Sequence, residues 1–378
     1  MSLFAAHAPK IDLDEAEKIA WLRLIRTENV GPITFYQLIE NFGTAQKAIE
    51  ALPSLSRNGG RLKNLKVSDA GAAIAEMEAL EKLGGTMVFA AEKAYPLSLA
   101  ATEDAPPVLS VLGNKGLLNC PSIGIVGARN ASLNGKKFAE KISRELGEGG
   151  QIVVSGLARG IDASAHTGAL PFGTVAAVAG GVDIIYPPEN TKLYQQIKFE
   201  GCIVAESPLG MEPMAKHFPK RNRIISGLSS GVVVIEATLK SGSLITARLA
   251  AEQGRDVYAI PGHPFDPRAG GPNKLIQDGA TLVQNAYDIL ENIRTFSAVR
   301  PVLSEPVQRE WRGEDLSEND AEPVRDIILQ NISSTPVTVD ELVRSCHLTI
   351  PAVQMVLLEL ELAGRIQRLP ANRIVLIN

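Results

Sequence analysis

Residues Ser122–Leu170 read SIGIVGARNASLNGKKFAEKISRELGEGGQIVVSGLARGIDASAHTGAL, and their order decides the fold. Ile123–Val126 is a short apolar run that ends in Gly127-Ala128-Arg129. Ile152–Val154 is a second run, ending in Ser155-Gly156-Leu157-Ala158-Arg159-Gly160. A helical pattern follows each, so strand, loop and helix are repeated in that order. Neither run alternates apolar with polar residues, as expected of strands covered on both faces. This is the pattern of a parallel sheet in a doubly wound α/β domain. In such sheets ligands bind beyond the carboxyl ends of the strands. Both loops open there with Gly, Ser and Arg, a combination suited to an anion.

The alternation extends in both directions. Thr86–Ala90 reads as an earlier strand, and Val175–Ala179, Ile203–Ala205, Val232–Ile235, Asp256–Ile260 and Ala280–Val283 as later ones. Together they predict one large Rossmann-like sheet over residues 86–292. Before it, residues 11–85 read as a helical domain of the SAM or helix-hairpin-helix type, after a loose tail over 1–10. Its apolar residues fall at helical spacing on either side of a turn, Thr27-Glu28-Asn29-Val30-Gly31-Pro32. A helix-hairpin-helix loop can hold a DNA phosphate; here Asn29 stands where its first glycine is usual. Ser54–Lys66 reads as a polar loop and Ala70–Leu83 as a helix closed by Gly84-Gly85.

After the sheet, residues 293–321 read as an acidic linker, rich in Glu and Asp and interrupted by Pro301 and Pro306. Residues 322–378 have the pattern of a winged helix. Pro323–Asn331 is helix one, Thr338-Val339-Asp340-Glu341 is a capping box opening helix two, and Pro351–Ala363 is helix three. Two short strands, Arg365–Leu369 and Arg373–Leu376, form the wing. Helix three carries no basic residue before Arg365, which makes it a poor reader of a major groove.

Composition narrows the function classes. The 378 residues carry a net charge of −4, so a nucleic-acid site must be a local basic patch on a mildly acidic body. Cys120, Cys202 and Cys346 lie far apart and read as reduced thiols, so neither a disulfide framework nor a metal site is expected. No apolar run approaches the roughly 18 residues of a membrane span, and a soluble cytoplasmic protein is expected. HExxH, GxSxG, Walker A and GxGxxG patterns are absent, and no cofactor is expected.

The densest basic run is Lys216-His217-Phe218-Pro219-Lys220-Arg221-Asn222-Arg223, with no acid between Pro213 and Ile235. Cations that hold phosphates and a ring that stacks on a base are what a single-strand groove requires. The same run also fits a solvated loop with Phe218 packed inward. Gly127 and Arg129, Ser155 and Gly156, and Lys240 with Ser241-Gly242-Ser243 add loops at the same rim, so one anionic crevice is expected. Asp162 and His166 share a helix face at i, i+4; capping and a buried hydrogen bond account for them better than acid–base catalysis. Glu206 and Glu236 end strands, where they suit either catalysis or the orientation of arginines.

These blocks resemble the DprA (Smf) family of bacterial DNA-processing proteins. The resemblance is carried by Tyr95-Pro96-Leu97-Ser98-Leu99, Ile125-Val126-Gly127-Ala128-Arg129, Ser155-Gly156-Leu157-Ala158-Arg159-Gly160-Ile161-Asp162 and Tyr186-Pro187. It continues in Phe218-Pro219, Arg221-Asn222-Arg223-Ile224-Ile225-Ser226-Gly227-Leu228, Ser241-Gly242-Ser243-Leu244-Ile245-Thr246-Ala247 and Asn273-Lys274-Leu275-Ile276. The resemblance implies a non-catalytic, homodimeric single-strand binder that protects incoming DNA and loads RecA during natural transformation. It implies a DNA pocket lined by Gly127, Arg129, Ser155, Gly156, Lys216, Phe218, Arg221, Asn222, Arg223 and Lys240. The alternative from the enzyme class is a nucleotide-processing hydrolase similar to the lysine-decarboxylase-like phosphoribohydrolases. Their PGGxGT loop is missing here, where Lys240–Thr246 reads KSGSLIT.

Overall fold

The computed structural model describes residues 11–58, 67–298, 318–333, 336–346, 348–369 and 372–377. The chain divides into two compact units, one built on residues 74–301 and the other on residues 14–73 together with residues 302–378. Helices α1 (Glu15–Arg26), α2 (Pro32–Phe42), α3 (Ala45–Asn58) and α4 (Ala70–Lys82) come first. Strands β1 (Gly85–Phe89) and β2 (Val108–Gly113) flank the short α5 (Leu97–Ala100). Then β3 (Ser122–Gly127), α6 (Leu133–Glu148), β4 (Ile152–Ser155), α7 (Ile161–Ala169) and β5 (Thr174–Ala177) alternate as predicted. The series continues with α8 (Thr191–Glu200), β6 (Cys202–Ala205), α9 (His217–Leu228), β7 (Gly231–Ile235), α10 (Gly242–Glu252) and β8 (Asp256–Ala259). It closes with α11 (Gly270–Gln277), β9 (Thr281–Leu282) and α12 (Ala286–Ala298).

Among the described residues nine strands form one sheet in the order β1-β2-β6-β5-β4-β3-β7-β8-β9. From β6 to β9 every pairing is parallel; β1 and β2 are antiparallel additions at one edge. Successive strands run outward from β3 in one direction, and the chain then returns to place β7 on its other side. That reversal is the switch point at which such folds bind ligands. The apolar runs have the burial their composition requires. Ile123, Ile125, Val153 and Val233 pack on Ile142 and Leu146 of α6 and Ile161 of α7. Farther along the same face Ala176, Ile203 and Leu112 pack on Tyr194 and Ile197 of α8.

In the second unit, Asn29 takes the positive φ (+64°) that the usual hairpin glycine would supply. Asn tolerates that region better than most residues, so the turn keeps its shape without the glycine. Pro32 opens α2, as expected. Helix α3 runs through Asn58 and takes in the first part of the expected polar loop; the remainder of that loop, at 59–66, lies outside the described residues, as does the tail at 1–10.

The C-terminal part contains α13 (Glu318–Asn331), β10 (Val337–Thr338), α14 (Val339–Cys346), α15 (Ile350–Leu362), β11 (Ile366–Leu369) and β12 (Arg373–Leu376). Its three strands pair in the order β10-β12-β11. The predicted capping box is formed: the Glu341 N–H donates to Thr338 Oγ1 at 3.2 Å, and the Thr338 N–H donates to Glu341 Oε2 at 3.0 Å. Ile328, Val339, Leu342, Val353, Val356, Leu357, Leu360 and Ile374 form its core. The expected linker is shorter than the sequence suggested, because α12 extends to Ala298 and α13 begins at Glu318. Its centre, 299–317, lies outside the described residues. Among those residues no helix is long and apolar enough to cross a membrane.

Candidate nucleic-acid interface

The loops after β3, β4 and β7 are tied together by their own backbones. The Ala128 N–H donates to Glu236 O at 2.6 Å, and the Ile161 N–H donates to Ala128 O at 3.2 Å. This leaves little room at Gly127, where an added Cβ would lie 1.9 Å from Ile235 O and 2.6 Å from the Ile161 side chain. Gly127 is therefore a packing residue that lets two loops meet, and its sequence-based role as a place for ligand approach is revised. Gly127→Ala is expected to cost about 1–3 kcal/mol of stability by overpacking. Urea unfolding should register that loss, with ligand affinity per folded molecule unchanged.

The N-terminus of α6 is likewise already occupied. The Glu236 carboxylate accepts from the Ser132 N–H at 2.7 Å and from the Ser132 hydroxyl, while Ser132 Oγ caps the helix by accepting from the Gly135 N–H at 2.8 Å. The anion at this helix end is the protein's own, so Glu236 is an orienting group and the helix dipole does not make the ligand site.

The open site lies one strand over. A pocket of about 190 Å³ at the carboxyl ends of β4 and β5 is bordered by Arg129, Gly156, Arg159, Tyr186, Phe218 and Arg221. The Phe218 ring stands between two neighbours: Arg129 Cζ lies 5.0 Å from its centroid, and the Tyr186 ring centroid lies 5.8 Å away at 54°. A guanidinium over a ring is worth roughly 0.5–2 kcal/mol, depending on solvent access. Arg129 itself is exposed and Phe218 half-buried, so the cation and one ring face the opening. At the mouth Arg159 and Glu189 pair at 3.3 Å, each more than half exposed; such a pair stabilises little.

The pocket wall is held by Arg221. Its Nη1 donates to Ala177 O at 2.5 Å and to Gly156 O. An added Cβ on Gly156 would lie 2.2 Å from that nitrogen, so only glycine leaves space for the guanidinium. The Gly156 N–H donates to Asp162 Oδ2 at 3.2 Å. Burial raises the Asp162 carboxyl above its ordinary range, opposed by the positive charge of Arg221. Burial also brings Arg221 down, to about 10, which leaves it protonated at neutral pH. His166 Nδ1 lies 2.8 Å from Thr174 Oγ1, and burial together with Arg221 lowers its pKa to about 3. Asp162 and His166 are thus internal supports: the expected buried hydrogen bonds are present, but Asp162 does not cap α7, whose N-cap is Gly160.

The remaining candidates divide sharply. Lys216 and Lys240 are exposed, as is Lys220, which the expected set did not include, and none of the three borders the pocket. Ser155 is fully buried and donates to Ile125 O at 2.6 Å, a bond between neighbouring strands. Asn222 is nearly buried; it accepts from Arg221 Nε at 3.3 Å and donates to Gly242 O at 3.4 Å. Arg223 is only 7% exposed and is gripped by Glu206 at 2.5 Å and Asp104 at 3.4 Å. The expected lack of local compensation for the basic run therefore fails for Arg223. Its acids arrive from other loops. Tyr186 and Arg159 were missed, although both lie in loops that follow strands at the ligand rim, Arg159 after β4 and Tyr186 nine residues after β5.

Three family models match this chain. One, described as DNA recombination-mediator protein A, covers residues 86–294, more than half of the sequence. This chain belongs to the DprA (Smf) family. A DprA-like N-terminal HHH domain matches residues 15–79 and a DprA winged helix domain residues 313–372, so the family accounts for the flanking domains as well. Among its relatives, Protein Smf of Synechocystis sp. is 32% identical over 95% of this chain and 98% of its own. Protein Smf of Escherichia coli is 38% identical over 78% of each chain. DNA processing protein DprA of Bacillus subtilis is 46% identical over 53% of this chain and 69% of its own.

Solved DprA structures agree in fold. DprA from Streptococcus pneumoniae aligns with a TM-score of 0.63 and 32% identity, over 74% of this chain and 98% of that one. The protein from Helicobacter pylori, described for its single-stranded DNA binding mode, aligns with a TM-score of 0.52 and 29% identity, over 56% and 96%. As a DprA family member the chain is a DNA-processing recombination mediator.

Proposed function

We propose that the rim binds single-stranded DNA without turnover. Arg129, Lys216, Lys220 and Lys240 would hold phosphates, while Phe218 and Tyr186 would stack on exposed bases. Arg221, Gly156 and Asp162 shape the pocket from beneath. The carrying observation is the Arg129–Phe218–Tyr186 stack beside a pocket walled by a buried arginine. It puts the two elements of sequence-tolerant single-strand recognition, cation and ring, in one place. Protection of incoming DNA, loading of RecA, action in the cytoplasm and homodimer formation follow as proposals from membership of the family.

The test is a salt titration of binding to oligo-dT, to duplex and to mononucleotides. Four exposed cations predict a slope of log K against log salt of about −3 for single strands. A slope near zero, or binding of mononucleotides with release of free base, would favour the hydrolase instead. Phe218→Ala should weaken oligo-dT binding by about 1–3 kcal/mol, the worth of one stacked base. An unaltered affinity in a titration of this variant would assign the ring to packing alone.

A further inference from the structure

The winged helix and the N-terminal helices belong to one compact unit although the whole sheet separates them in sequence. Their meeting point is α15, the third helix of the winged helix, which touches α2 and α3. That helix is apolar on two faces. Val353, Val356, Leu357 and Leu360 enter the core of its own domain. Leu358, 1% exposed, is buried outside that cluster and lies on the stripe of Gln354 and Glu361. A helix apolar on more than one side is a buried helix rather than a surface one.

The polar contacts on the stripe are built rather than incidental. Arg368, on β11, has a side chain only 5% exposed and pairs with Glu361 at 3.1 Å. It also donates to Gln354 Oε1 at 3.3 Å. With its amide oxygen turned toward Arg368, Gln37 of α2 accepts from both Nη atoms at 3.2 and 3.0 Å. Glu361 lies beside Thr34 of α2; burial raises its carboxyl and Arg368 opposes the shift. A buried guanidinium therefore joins the wing, the third helix and the N-terminal domain. This is the face that a duplex reader would keep for a major groove. Instead its charged residue is Glu361; Glu359, on another side of the helix, pairs with Arg325 of α13 at 2.8 Å, and the helix carries no Lys or Arg.

We propose that the winged helix is a protein-binding domain whose partner is the N-terminal helical domain of the same chain, and that its third helix, docked there, does not read duplex DNA. The docking joins the two ends of the chain. The proposal is independent of how the sheet binds single strands.

A cross-link tests it in the full-length protein. Gln37→Cys and Gln354→Cys occupy neighbouring positions and are introduced together with Cys120→Ser and Cys346→Ser. A short bis-maleimide should link most molecules internally at dilute protein, giving a faster-migrating monomer on denaturing gels, while either single cysteine gives none. Duplex affinity of the locked protein should stay within about twofold of the unlocked one. Cross-links absent or formed only between chains, or a loss of duplex affinity of tenfold or more on locking, would overturn the proposal. Gln37→Arg supplies a second reading, since it sets a like charge beside Arg368 from the other domain. Amide hydrogen exchange in the last turns of α15 should then quicken at least tenfold; unchanged exchange there would count against docking.

Discussion

Arg129→Glu is expected to weaken binding of oligo-dT by about 2–4 kcal/mol, roughly 30- to 1,000-fold in Kd. A charged hydrogen bond to a phosphate contributes about 1.5–3 kcal/mol, and reversal adds repulsion where attraction had been. The change also removes the cation from the Phe218 ring, 5.0 Å away, so a base stacking on that ring loses its neighbour's field. Among the described residues Arg129 has no side-chain hydrogen bond or ion pair, being exposed, and acts on the buried Asp162 and Arg221 only through its charge, so thermal stability should move little. The control is Arg248→Glu on α10, whose partner is Glu252 and whose side chain is 70% exposed. Fluorescence anisotropy at fixed salt should show a near-normal Kd for this control. Equal losses in both variants would mean that overall charge, and not the pocket, sets affinity. The salt slope of Arg129→Glu should also fall by about 0.7, the share of one phosphate contact.

Most of the fold was legible because its signals are local. Ile123–Val126 and Ile152–Val154 are apolar without alternation, and only a strand between two helical layers suits that pattern at such lengths. Thr338 and Glu341 announce a helix start through bonds that span three residues. The site was legible to the level of the rim and not to the level of the side chain. Arg221 and Arg223 are two residues apart in one basic run, yet one walls the pocket and the other is held by Glu206 and Asp104. Nothing in the run distinguishes them, because Asp104 is 119 residues away from Arg223. Glu236 filling the α6 N-terminus was hidden for the same reason: Ser132 is 104 residues distant. Long-range pairing rewrites which charges are free, and a count of nearby acids does not see it. Of the five cations expected at the site, Arg129, Lys216 and Lys240 are exposed while Arg221 and Arg223 are buried, and exposed Lys220 joins the first three.

The docking of the two chain ends lay further out of reach. Helix α15 shows its unusual apolarity in sequence, but an all-round apolar helix says only that something covers it. The partner is named by Gln37, which carries no signal on its own.

Arg221→Met should lower the stability of the sheet domain by about 3–5 kcal/mol, the range for breaking a buried charge pair from one side. The carbonyls of Gly156 and Ala177 lose their donor, and Asp162 loses the positive charge that offsets its burial. The deficit should depend on pH in a defined direction. Asp162 is raised in the folded protein, so the native state holds its proton more tightly than the unfolded chain does. Stability contributed by that proton is complete below the ordinary carboxylate pKa of 3.8 and is lost as pH climbs through the folded value. Without Arg221 the folded value rises further and the loss extends over a wider range. The variant should therefore lie closer to the wild type at about pH 4 than at about pH 8, where the buried carboxylate must ionise or stay protonated at a cost. Asp162→Asn added to Arg221→Met should remove the pH-dependent part, since the amide oxygen still accepts from Gly156 while carrying no charge. The two unpaired carbonyls should keep the double variant below the wild type. Denaturant unfolding, followed by hydrogen exchange in β4 and β5, reads these differences. A deficit independent of pH, or one that Asp162→Asn leaves untouched, would show that Arg221 acts through its carbonyl bonds alone and that its charge does not support the carboxylate beneath the pocket.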